Sequence, residues 1–421
     1  MEYLPRLIEK EIEIALKTSG VVVVTGPKCC GKTETCKKYA KSKYVLDTKN
    51  KIELAEADPR SILLGDNPRL IDEWQHVPDL WNAVRTEVDN REDKFGQFIF
   101  TGSSTPVDMN DIYHSGSGRI VTIKMRPMSL YESKESKELV SLTDLFNGQE
   151  KVFGLNEDYC LQDTAFYICR GGWPLSLVKD RDIALKITEN YISTLFNFEN
   201  SKNKKFRNKK AETFKMILRS YARNISTEAR KKTILNDINT NDDRNINPDT
   251  LDEYLQALKD LYIIQDIEAW NPNFRSKTVI VTTPTRHFVD TSIAAGCLNI
   301  SPADLLNDPK TFGLFFEDFV VKELSIYSQS LDGEIRHFRD GNGLECDAVI
   351  HLKNGKYGLI EIKLGGKELI KEGLSALNNL NNKIKANNQK EPSFSMIITA
   401  SGDAYTTKEG VHIVPINMLK N

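Results

Sequence analysis

One eight-residue stretch constrains the fold of this chain more than any other feature. Residues 26–33 read Gly-Pro-Lys-Cys-Cys-Gly-Lys-Thr and fit the pattern G-x-x-x-x-G-K-[ST] without a mismatch. They follow an apolar run at 21–24 and precede a segment at 35–40 with the composition of a helix. A loop that holds phosphate groups requires this order of strand, glycine-rich turn and helix amino terminus. The sequence therefore predicts a P-loop.

The parts of this loop have complementary roles in phosphate binding. Glycines allow backbone N–H groups to point inward at phosphate oxygens. We expect the Lys32 ammonium to reach the β- and γ-phosphates and the Thr33 hydroxyl to hold Mg²⁺. The predicted ligands are therefore ATP or ADP with Mg²⁺. The predicted nucleotide-binding residues are Gly26, Pro27, Lys28, Cys29, Cys30, Gly31, Lys32 and Thr33.

Two acidic residues in a later apolar segment supply the second half of such a site. Asp72 and Glu73 lie in the segment 69–74, which has the pattern of a strand. ATP hydrolysis requires an acid in the Mg²⁺ shell and a base that orients water. We assign the first role to Asp72, as a metal ligand beside Thr33, and the second role to Glu73. Glu73 suits the activation of water, which makes a kinase-like phosphotransfer the weaker interpretation.

Ser103 and Arg119 are further catalytic candidates, and each has an alternative. Ser103 lies at the tip of a predicted strand, where its hydroxyl either contacts the γ-phosphate or the attacking water, or belongs to a serine-rich turn. Arg119 opens the next predicted strand and is either an arginine finger or a surface arginine. A finger that reaches into a neighbouring subunit would imply a homo-oligomer.

Short apolar strands separated by helical segments continue beyond the loop. The predicted strands are 44–47, 69–74, 97–104 and 119–124, and a helix is predicted at 80–88. Strands connected in this way form parallel sheets with helices on both faces. The sequence therefore predicts an α/β fold in which a doubly wound parallel P-loop sheet occupies residues 1–135.

The middle of the chain has a helical pattern that ends in an apolar segment. Three helices are predicted between residues 211 and 267, and the third begins with Asn247 as N-cap and Pro248 in its first turn. This order is typical of a winged-helix unit. The residues that would face DNA are mostly acidic, which favours packing or oligomerisation instead: Asp249, Thr250, Asp252 and Glu253. We place this helical, winged-helix-like region at 136–290 and a C-terminal α/β domain at 291–421.

Composition limits the expected partners and location. The formal net charge of −2 provides no overall attraction to nucleic acid or to a membrane surface. The basic run at 201–210 is either a solvated loop or a local nucleic-acid contact. The apolar runs are too short to span a bilayer, and the seven cysteines are scattered, as in a reducing compartment. We therefore expect a cytoplasmic protein without membrane association.

The C-terminal domain carries acidic residues and a lysine on predicted inner faces. Glu317 shares a helical stripe with Val320 and Leu324, so it should point inward, where a glutamate requires a partner or a metal ion. Glu361 and Lys363 lie two residues apart on a predicted strand. Because side chains alternate along a strand, both project from the same face.

The position of Asp347 relative to Glu361 depends on the turn between two predicted strands. A two-residue loop would place the two carboxylates on opposite faces of the hairpin. A three-residue loop with a left-handed Gly355 would pair Leu352 with Lys356 and set Asp347 directly opposite Glu361. We predict the three-residue loop, because the two carboxylates converge only with it.

Convergence of these carboxylates would create a candidate metal site. Glu317, Asp347 and Glu361 would form an oxygen-rich pocket for Mg²⁺ or Mn²⁺. Lys363 would orient water or stabilise developing charge on a phosphate. This is the arrangement of metal-assisted phosphodiester hydrolysis, with Asp347, Glu361 and Lys363 as its catalytic residues. The alternative is a structural ion-pair cluster in a β-hairpin domain.

Motifs of one family occur along nearly the whole chain. They are 26–33, LIDEWQ at 70–75, FTGS at 100–103, GR at 118–119, RPMSL at 126–130, GGWP at 171–174, RNIS at 223–226, WNPN at 270–273, RHFVD at 286–290, and Glu317, Asp347 and EIK at 361–363. The chain resembles bacterial and archaeal AAA-type ATPases that carry a C-terminal domain of unknown function related to the PD-(D/E)XK nuclease fold.

The resemblance implies ATP binding through Lys32, Thr33, Asp72 and Glu73. It also implies a C-terminal fold like that of restriction endonucleases, with Asp347 and residues 361–363 at the place of the nuclease signature.

One departure from that signature is Cys346, which stands where a proline is usual. We expect an ATPase coupled to a nuclease-like domain that cleaves or binds DNA or RNA. The alternative is a nucleotide-controlled interaction module, in which an inactive nuclease-like domain binds a protein partner.

Overall fold

The computed structural model of the 421-residue chain describes residues 3–92, 94–103, 118–195, 211–241, 246–272 and 283–421. The basic run at 201–210 lies outside these ranges. The described residues form two compact units. The first contains the described residues up to Pro127 together with Ala257–Ile263, and the second contains the rest. The division into three domains stays a prediction.

A five-stranded sheet forms the centre of the first unit. Its strands are β1 (Val21–Thr25), β2 (Ser42–Val45), β3 (Arg69–Asp72), β4 (Phe98–Gly102) and β5 (Ile120–Lys124). Their order across the sheet is β2-β3-β4-β1-β5, and every neighbouring pair is parallel. All residues of β1 are buried, as expected for a central parallel strand. The parallel sheet predicted from the sequence is therefore confirmed.

Helices and short 3₁₀ turns precede or connect these strands. They are α1 (Glu9–Thr18), α2 (Lys32–Lys37), α3 (Lys49–Ala57), α4 (Leu80–Asn90) and the 3₁₀ turns Ser61–Leu63 and Trp74–His76. Helices α3 and α4 pack on one face of the sheet through Ala55 and Val84, which share a buried core with Val21, Val23 and Phe100. Helix α2 begins earlier than the predicted 35–40, because the P-loop leads directly into its first turn.

A seven-stranded mixed sheet organises the second unit. The strands after Pro127 are β6 (Val140–Ser141), β7 (Phe153–Gly154), β8 (Ile264–Ile267), β9 (Thr285–Phe288), β10 (Gly333–Arg339), β11 (Glu345–Leu352), β12 (Tyr357–Lys363), β13 (Phe394–Thr399), β14 (Ala404–Thr406), β15 (His412–Pro415) and β16 (Leu419–Lys420). The sheet order is β10-β11-β12-β13-β15-β14-β7, which leaves β7 at one edge. Its centre, β12-β13-β15, is parallel, and its outer pairs are antiparallel.

The helices after Pro127 are α5 (Leu142–Phe146), α6 (Leu161–Arg170), α7 (Arg181–Thr194), α8 (Ala211–Arg223), α9 (Lys231–Asn241), α10 (Pro248–Asp260), α11 (Thr291–Leu298), α12 (Pro302–Asn307), α13 (Pro309–Ser330) and α14 (Lys367–Ala386). Two 3₁₀ turns, Pro174–Ser176 and Ile416–Met418, accompany them. Helix α14 packs on the seven-stranded sheet, where Leu377 and Leu380 share a buried core with Val349, Leu359 and Ile397.

The middle of the chain has the predicted sequence of elements. Helices α8, α9 and α10 are followed by β8 and β9, which pair antiparallel. The Asn247 side chain accepts a hydrogen bond from Thr250 N at 2.7 Å, which confirms the predicted cap. Asp252 forms an exposed ion pair with Lys231 at 2.6 Å, which links α9 and α10 at the surface. The winged-helix arrangement itself stays a prediction.

Two expectations from composition can be compared with the structure. All seven cysteines are free thiols, which agrees with the absence of a predicted disulfide framework. In the part of the chain that the structure describes, no helix combines the length and apolar character needed to cross a bilayer.

Candidate functional site

The P-loop joins the carboxyl end of β1 to the amino end of α2. Gly26 and Gly31 have φ angles of 149° and 102°, and Cys29 has a φ of 65°. A Cβ atom at Gly26 would lie 2.0 Å from the Met125 carbonyl oxygen, so only glycine fits at this position. The loop backbone therefore adopts left-handed conformations at these positions and curves around a small space.

The Lys32 ammonium lies inside this loop. It is buried and donates hydrogen bonds to the carbonyl oxygens of Gly26 at 2.9 Å and Pro27 at 2.8 Å. Among the described residues, no carboxylate forms an ion pair with it. A buried charge is costly unless it is paired, and two neutral carbonyls only partly compensate for lost water. The site therefore has the electrostatic requirement of an anion-binding loop, which a phosphate group would meet.

Asp72 connects the P-loop to the neighbouring strands. The Thr33 hydroxyl lies 3.0 Å from each carboxylate oxygen of Asp72, and the Thr101 hydroxyl donates a second hydrogen bond to Asp72 Oδ1. Asp72 and Thr101 are register partners on β3 and β4, and both are buried. The predicted metal ligands Thr33 and Asp72 are therefore brought together. Sequence analysis missed Thr101, whose position next to Asp72 follows from strand pairing.

Glu73 follows Asp72 in a left-handed conformation, with a φ of 58°. Its Oε2 atom accepts hydrogen bonds from Gln75 Nε2 and, at 3.3 Å, from the Ser103 hydroxyl. Non-glycine residues rarely adopt this backbone conformation, and such positions concentrate at functional sites. The structure thus brings the two predicted catalytic residues Glu73 and Ser103 together. It adds Gln75, which sequence analysis did not assign to the site.

Arg119 lies at the amino-terminal end of the parallel strands, whereas the P-loop lies at their carboxyl-terminal end. Its carbonyl oxygen accepts a hydrogen bond from Val21 N, at the start of β1, whereas the P-loop follows the end of that strand. A strand of this length spans about 16 Å. The Arg119 side chain forms an ion pair with Asp89. The structure therefore places Arg119 away from the P-loop of its own chain, and its role as an arginine finger stays a prediction.

Two further cations lie at and just after the carboxyl end of β5, beside the P-loop. Lys124 is the register partner of Thr25, and burial, together with the nearby charge of Arg126, lowers the Lys124 pKa to about 7. The Lys124 ammonium lies 5.6 Å from the centre of the Tyr262 ring. Burial likewise lowers the pKa of Arg126 to about 10. Sequence analysis did not identify these cations as neighbours of the loop, because their position depends on the pairing of β5 with β1.

A buried arginine near the amino terminus supports the same region. Arg6 donates to the Cys30 carbonyl oxygen at 2.8 Å and to the Arg126 carbonyl oxygen at 2.7 Å. It thus ties the P-loop to the segment that follows β5. Arg6 is a positioning residue that the sequence pattern did not reveal.

The C-terminal hairpin has the predicted three-residue loop. Leu352 N donates to the Lys356 carbonyl oxygen at 2.9 Å, and Gly355 has a φ of 77°. The strand register pairs Ala348 with Ile360, so the preceding residue, Asp347, lies opposite Glu361. The predicted loop and the convergence of the two carboxylates are therefore confirmed.

Lys363 lies between the converging carboxylates. Its ammonium is 3.0 Å from Asp347 Oδ2 and 2.8 Å from Glu361 Oε2. Burial, reinforced by the charge of Asp347, raises the pKa of Glu361 to about 8 and that of Glu317 well above its usual value. Burial acts to lower the pKa of Lys363, but Asp347 and Glu361 outweigh it and hold that pKa above its usual value.

The predicted metal pocket is not formed as expected. Within the described ranges, no group of three or more His, Cys, Asp or Glu side chains is arranged to hold a metal ion. The physical reason is that the Lys363 ammonium occupies the space between Asp347 and Glu361. One observation still fits a cation: Glu361 Oε1 is buried and accepts no hydrogen bond from the described residues. The donor set also fits, because Glu317, Asp347 and Glu361 provide carboxyl oxygens, and a bound cation would favour the ionised form of those whose pKa is raised.

Comparison with known families agrees with the P-loop site but assigns no function to the C-terminal cluster. Residues 18–134 match the family described as AAA domain. Residues 161–304 and 312–419 match two domains of unknown function, DUF8612 and DUF4143. The P-loop, the parallel sheet and this match together define an AAA-type P-loop ATPase domain in the first part of the chain. The family matched by the last part has no assigned function.

Two solved structures align over much of the chain at low identity. A Walker-type ATPase of Pyrococcus abyssi is 13% identical, with 69% of this chain and 94% of that chain covered and a TM-score of 0.42. The RuvB Holliday junction branch migration motor of Thermotoga maritima is 15% identical, with 61% and 88% covered and a TM-score of 0.27. Such scores do not establish a shared fold. Among curated proteins, none matches this chain significantly.

Proposed function

We propose that the chain binds ATP with Mg²⁺ in its P-loop and hydrolyses it. The observation that carries this proposal is the buried Lys32 ammonium, whose hydrogen bonds go to neutral carbonyl oxygens of the loop itself. Nucleotide phosphates would supply the missing negative charge. The match of residues 18–134 to the AAA domain family supports the same assignment.

The roles of the acidic residues follow from their partners. Thr33 and Asp72 would hold Mg²⁺, which would supply charge stabilisation for the transferred phosphoryl group. Glu73 would orient and polarise the attacking water. Ser103 and Gln75 hold the Glu73 carboxylate where it stands now. Because a carboxylate can accept about four hydrogen bonds, Glu73 could bind the attacking water while it keeps both of these bonds.

Phosphate release from ATP tests this proposal. We expect Glu73→Gln to retain ATP binding and to lower kcat by about 10²–10⁴-fold, the usual contribution of a general base. Glu34→Gln is a matched control, because Glu34 lies on α2 and is exposed in an ion pair with Lys37. Equal turnover by wild type and Glu73→Gln would contradict the assigned role.

A second proposal concerns the cluster of Glu317, Asp347, Glu361 and Lys363. We propose that it binds a divalent cation and hydrolyses phosphodiester bonds of DNA or RNA. The supporting observations are the carboxyl groups gathered around one ammonium and the buried Glu361 Oε1, which accepts no hydrogen bond from the described residues. Lys363 would move from its present bonds toward the phosphate, leaving Asp347 and Glu361 to the cation.

The alternative for this cluster is a binding platform without catalysis. Wild type and Asp347→Ala are incubated with single- and double-stranded nucleic acid and Mg²⁺ or Mn²⁺. Cleavage by wild type that is lost in the variant supports the nuclease proposal. If no substrate is cleaved, the result favours the alternative, a nucleotide-controlled platform for a protein partner.

A further inference from the structure

The edge strand of the seven-stranded sheet carries exposed apolar side chains. Phe153, on β7, is 78% exposed, and the following Leu155 is 57% exposed. Proteins usually protect sheet edges with charges, bulges or covering segments, since free backbone groups there can pair with another strand. A large aromatic and a leucine on such an edge therefore suggest a covering partner. Residues 151–157 also lie outside all three family matches.

The backbone of this edge points its free groups outward. Val152 N donates to the Thr406 hydroxyl and Asn156 N donates to Asp403 Oδ1, both at 2.8 Å. The backbone N–H groups of the even-numbered residues therefore point toward the sheet. Backbone N–H and C=O groups alternate in direction along an antiparallel strand. The corresponding groups of Phe153 and Leu155 therefore point away from β14. They are placed to form a ladder with a further strand.

The side chains along this segment form a self-complementary series. Lys151, Phe153, Leu155 and Glu157 are exposed and alternate with the buried residues 152, 154 and 156, which places them on one face. Of these four, Phe153 lies on β7, and Glu157 opens the turn that follows. We propose that β7 pairs antiparallel with β7 of a second copy of this chain, with Gly154 opposite Gly154. In this register Lys151 lies opposite Glu157 of the second copy, and Phe153 lies opposite Leu155. The two-fold axis generates each pair twice.

Other antiparallel registers are less favourable. Moving the axis to Phe153 sets Lys151 opposite Leu155, and moving it to Leu155 sets Phe153 opposite Glu157. In a register shifted by one residue, backbone groups that point outward on one copy would lie opposite groups that point inward on the other. These groups could not form hydrogen bonds with each other. With the axis at Gly154, Phe153 and Leu155 exchange backbone hydrogen bonds in both halves of the pair. Tyr405, which is the cross-strand neighbour of Phe153 and is also exposed, would extend the apolar contact.

Charge reversal tests both the pairing and its register. The association constant of the full chain is measured by sedimentation equilibrium over a concentration series. Lys151→Glu and Glu157→Lys should each weaken self-association by about tenfold, because each creates two like-charge pairs. The double variant Lys151→Glu/Glu157→Lys should restore wild-type association. If the double variant associates as weakly as the single ones, the proposed register is wrong.

An apolar substitution provides the second test. Leu155→Glu should abolish the dimer, whereas Leu175→Glu should leave it intact, because Leu175 is 62% exposed on the 3₁₀ turn Pro174–Ser176, which is not part of the β7 segment. Thermal unfolding confirms that both variants fold. A wild-type chain that stays monomeric at every concentration, or a dimer insensitive to Leu155→Glu, overturns the proposal. A monomer would leave the edge to an extended segment of a different protein.

Discussion

Asp347 lies directly opposite Glu361 on antiparallel strands, and the Lys363 ammonium bonds to both carboxylates. This geometry brings acidic groups together in a largely buried place, and Glu317 adds to them. Such a cluster has an energetic cost in the folded chain, because burial and like charges both disfavour ionised carboxylates. The cost can be measured through the pH dependence of stability.

The pKa of Glu361 links stability to pH. It is raised from 4.5 to about 8, so between these values the folded chain binds more protons at this carboxyl than the unfolded chain does. The free energy of unfolding therefore falls as pH rises through this window. Glu361→Gln should remove that slope in urea unfolding and should be more stable than wild type at about pH 8.

The exposed Glu368, at the start of α14, provides a control for this prediction. Glu368→Gln should leave the pH slope unchanged. If bound Mn²⁺ restores stability at alkaline pH in wild type but not in Glu361→Gln, the cluster is a cation site. Identical pH profiles for wild type and Glu361→Gln would rule out the raised pKa.

Removal of the P-loop ammonium should weaken nucleotide binding. Lys32→Ala deletes a charged hydrogen-bond donor, a type of group worth about 1.5–3 kcal/mol, so the Kd for ATP should rise about 10–100-fold. Lys37→Ala is the matched control, since Lys37 ends the same helix but is exposed. Calorimetric titration with ATP measures both. Unchanged affinity in Lys32→Ala would refute the nucleotide site.

Thr101 should position Asp72 for Mg²⁺. Thr101→Val keeps the side-chain shape but removes the hydroxyl that donates to the Asp72 carboxylate. We expect the Mg²⁺ concentration for half-maximal ATP turnover to rise about tenfold. Thr101→Ser should restore it. A purely structural role would instead lower stability in Thr101→Val without any change in Mg²⁺ dependence.

Arg119 should be dispensable for hydrolysis by a single chain. It lies at the amino-terminal end of the parallel strands and forms an ion pair with Asp89. Arg119→Ala should therefore keep kcat within about twofold in dilute solution, as expected for a surface ion pair. A loss that appears only at concentrations where chains associate would assign it to a neighbouring subunit. A large loss in the monomer would contradict the observed geometry.

Asp318 should contribute strongly to stability. It is fully buried and accepts hydrogen bonds from Phe288 N, His287 Nδ1 and the Thr291 hydroxyl. Asp318→Ala would leave these donors unpaired and should cost about 3–5 kcal/mol. Asp308→Ala removes an exposed helix cap and should cost only about 1 kcal/mol. Equal losses of unfolding free energy in the two variants would contradict this interpretation.

Features with a contiguous pattern could be predicted from the sequence. The P-loop and the strand before it are adjacent residues, so their chemistry could be identified without any tertiary information. The hairpin register was predictable only in part, because the sequence allowed a loop of two or of three residues and each length sets different residues opposite each other. The three-residue loop was preferred because Asp347 and Glu361 converge only with it, and the structure decided between the two. Element ends were less accurate, as α2 shows.

Features that depend on long-range pairing were decided only by the tertiary structure. The strand order sets β4 beside β3 and so brings Thr101 to Asp72. It also sets β5 beside β1, which brings Lys124 to the P-loop but leaves Arg119 at the other end of the strands. Likewise, the sequence could place Lys363 on the same face as Glu361, but not between two carboxylates. The physical reason is that local spacing determines which face a side chain occupies, whereas its neighbours depend on which distant strands pair.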